Sequence, residues 1–327
     1  MDDASYTRRD TSVHRTLDQE SRPAARPVPN RSPSSPRRAV AGMDYATGAA
    51  LLSPQAGAGK DPSDTAGGTS ARFEGDIFIK GAADPAAIDP NDVRQGSLGD
   101  CYLLAALRSV TRTDPQCIRD MVKDNGNGTY TVRFYLDRFG MSLIGRGTKE
   151  VTVSTRVPTD SGGSPRYAKT GDAVVVDGKT RFELWAMIVE KAWAKLKGGY
   201  PSIAGGNPGK AMEAITGQTS DSFRPSSRSA PAILSTLERA EKDRHPVTCF
   251  TPKVEARTGT DGKRGKKKRT WNALADRLVV YADHAYSFKS VKDGRIHLEN
   301  PWGYDHPHPM TAEEFRRLFV EVNVNRA

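Results

Sequence analysis

Leu103, Leu107 and Val110 recur at helical spacing and Leu104 widens the same stripe, which predicts a buried helix beginning near Cys101. Asn125-Gly126-Asn127-Gly128 is a strong turn. After it Tyr130, Val132, Phe134 and Leu136 alternate with Thr131, Arg133 and Tyr135, as a half-buried strand requires. Ala173 to Val176 is a second short strand candidate. Trp185, Ile188, Val189, Ala192, Trp193 and Leu196 fall on one helical face, and Gly198-Gly199 ends that run. Gly205-Gly206-Asn207-Pro208-Gly209 reads as a hinge. Further on, Pro246 to Phe250, Arg277 to Tyr281, Ala285 to Val291 and Arg295 to Glu299 read as strands, the last two joined by Lys292-Asp293-Gly294. Thr311 to Phe319 opens as an N-capped helix. The expected order is helix-rich first and sheet-rich second, an α+β chain without internal repeats.

Composition changes this picture at one end. Residues 1–70 are rich in Arg, Ser, Pro, Ala and Gly and bury too little apolar surface to offset chain entropy, so they are expected to be a disordered leader. The charges of that stretch nearly cancel. The excess of 49 Lys+Arg over 39 Asp+Glu, a net +10, therefore belongs mostly to the remainder. No apolar run approaches a membrane span, and Met1-Asp2-Asp3 does not open a standard secretory signal peptide. Three cysteines, Cys101, Cys117 and Cys249, are too few for a disulfide framework and too far apart for a metal knuckle. A reducing, cytoplasmic setting is the expectation.

Candidate chemistry centres on Cys101. It follows Leu98-Gly99-Asp100 at a helix start, where unpaired N–H groups and the helix dipole favour thiolate. A buried structural thiol is the other reading, and the one that suits Cys117 and Cys249. A thiolate nucleophile needs a base, and the base needs an orienting group. Of six histidines, His284 opens a strand whose hairpin partner ends in Asn300-Pro301-Trp302-Gly303. The hairpin would make His284 and Asn300 neighbours.

Gln95-Gly96-Ser97-Leu98-Gly99-Asp100-Cys101-Tyr102-Leu103-Leu104-Ala105-Ala106-Leu107 resembles the nucleophile segment of calpain-type cysteine proteases. Asp283-His284-Ala285-Tyr286-Ser287 and Asn300-Pro301-Trp302-Gly303 resemble their histidine and asparagine segments. Glu183-Leu184-Trp185 with Glu190 to Leu196, then Gly205-Gly206 and Thr216-Gly217, is a further match in the same order. The resemblance spans roughly residues 90 to 305 and implies a papain-like fold in two lobes around a cleft. The helical lobe, 71–205, would carry Cys101, and the sheet-rich lobe, 206–327, would carry His284 and Asn300. The implied reaction is endopeptidase cleavage through a thioester acyl-enzyme, with protein or peptide as substrate and a monomer as the working unit. Gln95 would join the Cys101 N–H at the oxyanion, Trp302 would shield the triad, and Gly205 and Gly206 would line the substrate path. Transglutaminase-type acyl transfer, or a silent calpain-like scaffold, are the alternatives.

Several positions depart from the family pattern. Tyr102 replaces the usual Trp, Asp283 stands where Gly precedes the histidine, and Glu299 where Arg precedes the asparagine. Asp283 is expected to favour imidazolium at His284. Larger relatives bind calcium through acidic loops beside the cleft. Here the position shortly before the histidine holds Lys263 to Arg269, six cations and no carboxylate, so that calcium site is expected to be absent, with no metal or cofactor required. The same loop is read as a solvated insertion, or as a surface for an acidic protein, anionic lipid or nucleic acid. With the chain ending at Ala327, the C2-like and EF-hand-bearing domains of larger calpains are expected to be missing. Export as an effector without a cleaved signal peptide is compatible with the leader.

Overall fold

The computed structural model describes residues 61–62, 69–80, 86–137, 146–254 and 272–327. Nearly all of the expected leader and the whole Lys263 to Arg269 stretch lie outside these residues. All described residues fall in one unit, Pro54–Ala327.

Short strands β1 (Ser70–Arg72) and β2 (Gly75–Asp76) lead to helix α1 (Cys101–Thr113), followed by α2 (Pro115–Met121), β3 (Val122–Asp124), β4 (Thr129–Asp137), β5 (Arg146–Ser154), β6 (Arg156–Pro158), β7 (Ala173–Val176) and β8 (Lys179–Glu183). Helices α3 (Trp185–Lys197) and α4 (Pro208–Thr216) come next, then β9 (Ser220–Phe223), α5 (Ala230–Lys242), β10 (Val247–Phe250) and α6 (Ala273–Leu278). The last elements are β11 (Ala285–Lys292), β12 (Arg295–Glu299), α7 (Ala312–Leu318) and β13 (Glu321–Asn325). The class is α+β. β3-β4-β5 form an antiparallel meander, β2-β8-β7 a mixed sheet, β1 pairs with β6, and β12-β11-β10-β13-β9 form a five-stranded antiparallel sheet.

α1 is buried on every side, with Leu103, Leu104, Leu107 and Val110 at zero exposure. Its apolar run is therefore a core helix rather than a surface one. Val93, Trp185, Ile188, Val189 and Ile215 share its core. A second core gathers Ile233, Leu237, Tyr286, Phe288, Leu298 and Phe315. Ser109 ties α1 to the five-stranded sheet, its Oγ donating to the Val247 carbonyl at 2.9 Å and accepting from the Val247 N–H at 2.7 Å. α3 ends at Gly198, whose φ of 97° is the left-handed cap that glycine adopts without a Cβ penalty. α7 carries the expected Thr311 cap, completed by Glu314 in a capping box.

Two readings are corrected. Arg277 to Tyr281 is not a strand: α6 occupies Ala273–Leu278, started by the Asn272 side chain accepting from the Ala275 N–H and stopped at Val279, whose φ is 57°. Leu278 turns inward from a helix rather than from a pleat. The first half also holds more sheet than its helical periodicity announced, since β5, β6 and β8 add pairings to the expected strands. Among the described residues no helix is long and apolar enough to cross a membrane.

Candidate active site

Cys101 is the first residue of α1, with Asp100 as its N-cap, and only 8% of it is exposed. The Asp100 carbonyl already accepts from the Leu103 and Leu104 N–H groups, which fixes the helix start under the sulfur. Backbone N–H groups of Ala285 and Tyr102 reach the sulfur, and Ala285 is the residue next to His284. The electrostatics run opposite to the helix-terminus expectation. Burial pushes the thiol up to about 12, the Asp100 and Asp283 carboxylates push the same way, and the Ala285 and Tyr102 N–H groups offset only part of this. Burial thus opposes an unpaired thiolate here, and the charged sulfur needs a partner that takes its proton or pairs with its charge.

His284 immediately precedes β11 and is nearly buried at 5% exposure. Its backbone is locked to Thr251: the His284 N–H donates to Thr251 Oγ1 at 3.1 Å, and the His284 carbonyl accepts from the Thr251 N–H at 3.0 Å. Asn300 follows β12, and β11 and β12 pair with Ser287 opposite Glu299, which brings the start of one strand beside the end of the next. His284 Nε2–H donates to Asn300 Oδ1 at 2.9 Å, and Asn300 is fully buried. The Trp302 N–H donates to the same Oδ1 at 3.1 Å, while Asn300 Nδ2 donates to the Asp305 carbonyl at 3.2 Å. These contacts fix the amide orientation, so Nε2 carries a hydrogen and Nδ1 is the basic nitrogen of the neutral ring. The Trp302 ring lies 4.7 Å from the His284 ring, tilted by 44°, and Tyr286 meets the His284 ring edge-on at 4.9 Å.

Gln95, Cys101, Gly205, Gly206, His284 and Trp302 all line one cleft of about 1430 Å³. The structure brings the sequence-selected residues together there, with Asn300 behind His284. The Gln95 N–H donates to the Pro301 carbonyl at 2.8 Å, tying the loop before α1 to the turn after Asn300. Its side-chain Nε2 donates to the Leu98 carbonyl at 2.7 Å and, at a longer 3.3 Å, to Asp100 Oδ1. Gly205 holds a φ of 89° and donates its N–H to the Gly99 carbonyl at 2.8 Å. At Gly206 a Cβ would come within 2.4 Å of the Tyr102 ring, so the glycine lets that ring lie against the chain. Trp193 Nε1–H holds the Tyr102 hydroxyl at 2.9 Å. Tyr102 thus fills the space under Gly206 as a fixed wall.

Sequence reasoning passed over two buried ion systems at this site. Glu299, seen only as a departure beside Asn300, accepts from Arg108 at 2.8 Å and from Arg112, and pairs with Lys289 at 3.1 Å. Burial alone would raise its carboxyl, but Arg108 and Arg112 outweigh that and hold it down at about 2. Asp100 and Glu190, 0% and 1% exposed, face one another beneath the Cys101 end of α1. A signal existed for both: a charged residue inside an otherwise apolar helical run, Arg108 in α1 and Glu190 in α3, requires a buried partner.

A family model described as calpain family cysteine protease matches residues 78–308. Calpain-8 of Mus musculus is 27% identical over 226 residues, covering 65% of this chain and 28% of that protein. Calpain-A of Drosophila melanogaster is 29% identical over 222 residues, 65% of this chain and 24% of the relative. Calpain-9 of Homo sapiens is 29% identical over 222 residues, 65% of this chain and 28% of the relative. The matched part of the chain thus spans no more than 28% of the length of these relatives.

Proposed function

Since the chain belongs to the calpain family of cysteine proteases, we propose that it is an endopeptidase working through Cys101, His284 and Asn300. The observation that carries this reading is the 2.9 Å bond from His284 Nε2 to Asn300 Oδ1, made in the same cleft that Cys101 lines. The two cores, one around α1 and one around the five-stranded sheet, support a papain-like arrangement with the nucleophile on the first lobe and the base on the second.

In this reading His284 Nδ1 takes the Cys101 proton as the sulfur attacks the scissile carbonyl, because burial disfavours a thiolate without a partner there. The sulfur forms a thioester and the leaving amine receives the proton from the imidazolium. A water, deprotonated by the same ring, then releases the acid and restores the thiol. Asn300 keeps the ring in the Nε2–H tautomer throughout, and Trp302 shields that bond from water. The Cys101 N–H and Gln95 Nε2–H receive the oxyanion, with Gln95 giving up the longer of its two bonds, the one to Asp100. Gly205, Gly206 and Tyr102 form the wall along which substrate backbone lies.

Incubation with an unfolded protein should give internal cleavages, read as new N-termini by mass spectrometry. Incorporation of an added amine into a glutamine peptide without chain cleavage would contradict the peptidase reading.

Calcium is not assigned a part in this chemistry. The reading rests on the sequence stretch at 263–269, which carries six cations and no carboxylate where an oxygen-ligand site would be needed. Thermal unfolding in calcium and in chelator should therefore give the same midpoint. Binding at a hundredfold excess over Kd would add about 2.7 kcal/mol, so a rise of several degrees in calcium would refute this.

A further inference from the structure

Asp100 is a good helix cap by residue type, yet its side chain makes no capping bond to α1. It turns instead toward Glu190 of α3, within hydrogen-bonding reach, and toward Gln95 Nε2 at 3.3 Å. Glu190 Oε1 accepts from the Ala168 N–H at 2.8 Å. Among the described residues no N–H or O–H donor reaches Asp100 Oδ2, although that atom is fully buried. Two buried carboxylates in contact do not both ionise, and one of them donates to the other.

We propose that Asp100 and Glu190 share a single proton beneath the cleft and act as a positioning pair, Glu190 donating to Asp100 while Asp100 holds the Gln95 amide. The shared proton limits the pair to one negative charge beside the sulfur and the oxyanion position. It also weakens Asp100 as an acceptor, so Gln95 is held in place but can still turn its hydrogen to a substrate. The surroundings favour one retained proton. Burial pushes Asp100 up to about 7, and burial together with the Asp100 charge pushes Glu190 well above the carboxylate range. The other titratable groups facing the pair include Cys101 and Tyr102 of α1, Tyr200 after α3, with Tyr167 packed on Tyr200, and Lys169 of the preceding loop. The Lys169 ammonium is directed to the Pro165 carbonyl and pairs with Asp160 at 3.7 Å.

The effect on catalysis rests on the peptidase reading, whereas the shared proton does not, and the test separates them. Infrared spectra of the full chain at pH 7 should show the carbonyl stretch of a protonated carboxylic acid. Part of that band should vanish in Glu190→Gln and a different part in Glu183→Gln, because Glu183 faces Asp92 in a second buried carboxyl pair. Absence of the band from the wild-type protein overturns the proposal whether or not either variant folds, as does a Glu190→Gln spectrum unchanged in this region. In kcat/KM profiles the alkaline limb of Glu190→Gln should move up by a pH unit or more, leaving about tenfold more of its maximal activity than wild type retains at the same alkaline pH. Superimposable limbs overturn the positioning role. A wild-type protein that cleaves nothing refutes the peptidase reading instead, and the infrared band then decides the shared proton alone.

Discussion

Cys101→Ala should lower kcat for peptide cleavage by on the order of 10⁴-fold or more, equivalent to about 5 kcal/mol or more of transition-state stabilisation. The loss is large because, in the proposed mechanism, the sulfur forms the covalent intermediate. Stability should change little, since the sulfur removed is small and lies at the cleft edge of the core. Cys117→Ala is the matched control. The Cys117 thiol donates to the Ile215 carbonyl at 3.7 Å and is pushed up to about 11 by burial, away from His284. Activity retained in Cys117→Ala and lost in Cys101→Ala, with both proteins folded, is the expected result.

The second large effect is on stability. Arg108 is completely buried in α1, where its guanidinium donates to the Val93 carbonyl at 2.9 Å and to Glu299 at 2.8 Å. Glu299→Ala would leave that cation, with Arg112 beside it, without its carboxylate inside the protein. Breaking a buried pair from one side costs about 3–5 kcal/mol, which for a domain of this size lowers the melting midpoint by about 10 °C. Activity should fall with it, because Glu299 precedes Asn300 and anchors the end of β12 to the helix that carries Cys101. Pairing Arg108→Met with Glu299→Leu should recover part of the loss, since the fully buried cation is removed with its carboxylate while Arg112 and Lys289 reach solvent. The cluster also sets an acid limit. The Glu299 carboxyl is lowered from its ordinary value to about 2, so its contribution is present above the usual carboxylate range and is lost as pH falls through about 2. Wild type should lose stability across that window, and Glu299→Ala should lose less there.

Much of the site was legible because its parts are local. The loop before Cys101 and α1 are contiguous, and the hairpin that joins His284 to Asn300 is announced by Lys292-Asp293-Gly294 between two apolar strands. Where local signals compete, reading failed. Val279, Val280 and Tyr281 favour a strand, but the Asn272 cap and the inward Leu278 make the six residues before them a helix. α5 escaped notice although Ser229 caps it and Ile233, Leu237 and Ala240 mark its buried face at helical spacing. β13 was hidden for a different reason: it sits between β10 and β9 in the sheet, and no local pattern states which distant strand a terminal strand will join. The buried partners were hidden for the same reason. Asp100 meets Glu190, and Arg108 meets Glu299, across long stretches of chain. Only packing reveals that what looked like a departure from pattern at Glu299 is the counter-charge of α1.

The central claim is that the Cys101 sulfur becomes nucleophilic only through His284. It is tested most directly by the rate and site of labelling with an epoxysuccinyl peptide, mapped by mass spectrometry in wild type and in His284→Ala. The account predicts modification at Cys101 alone in wild type and a loss of about a hundredfold or more in rate without the imidazole. Labelling centred on Cys117 or Cys249, or a Cys101 rate unchanged in His284→Ala, would contradict it.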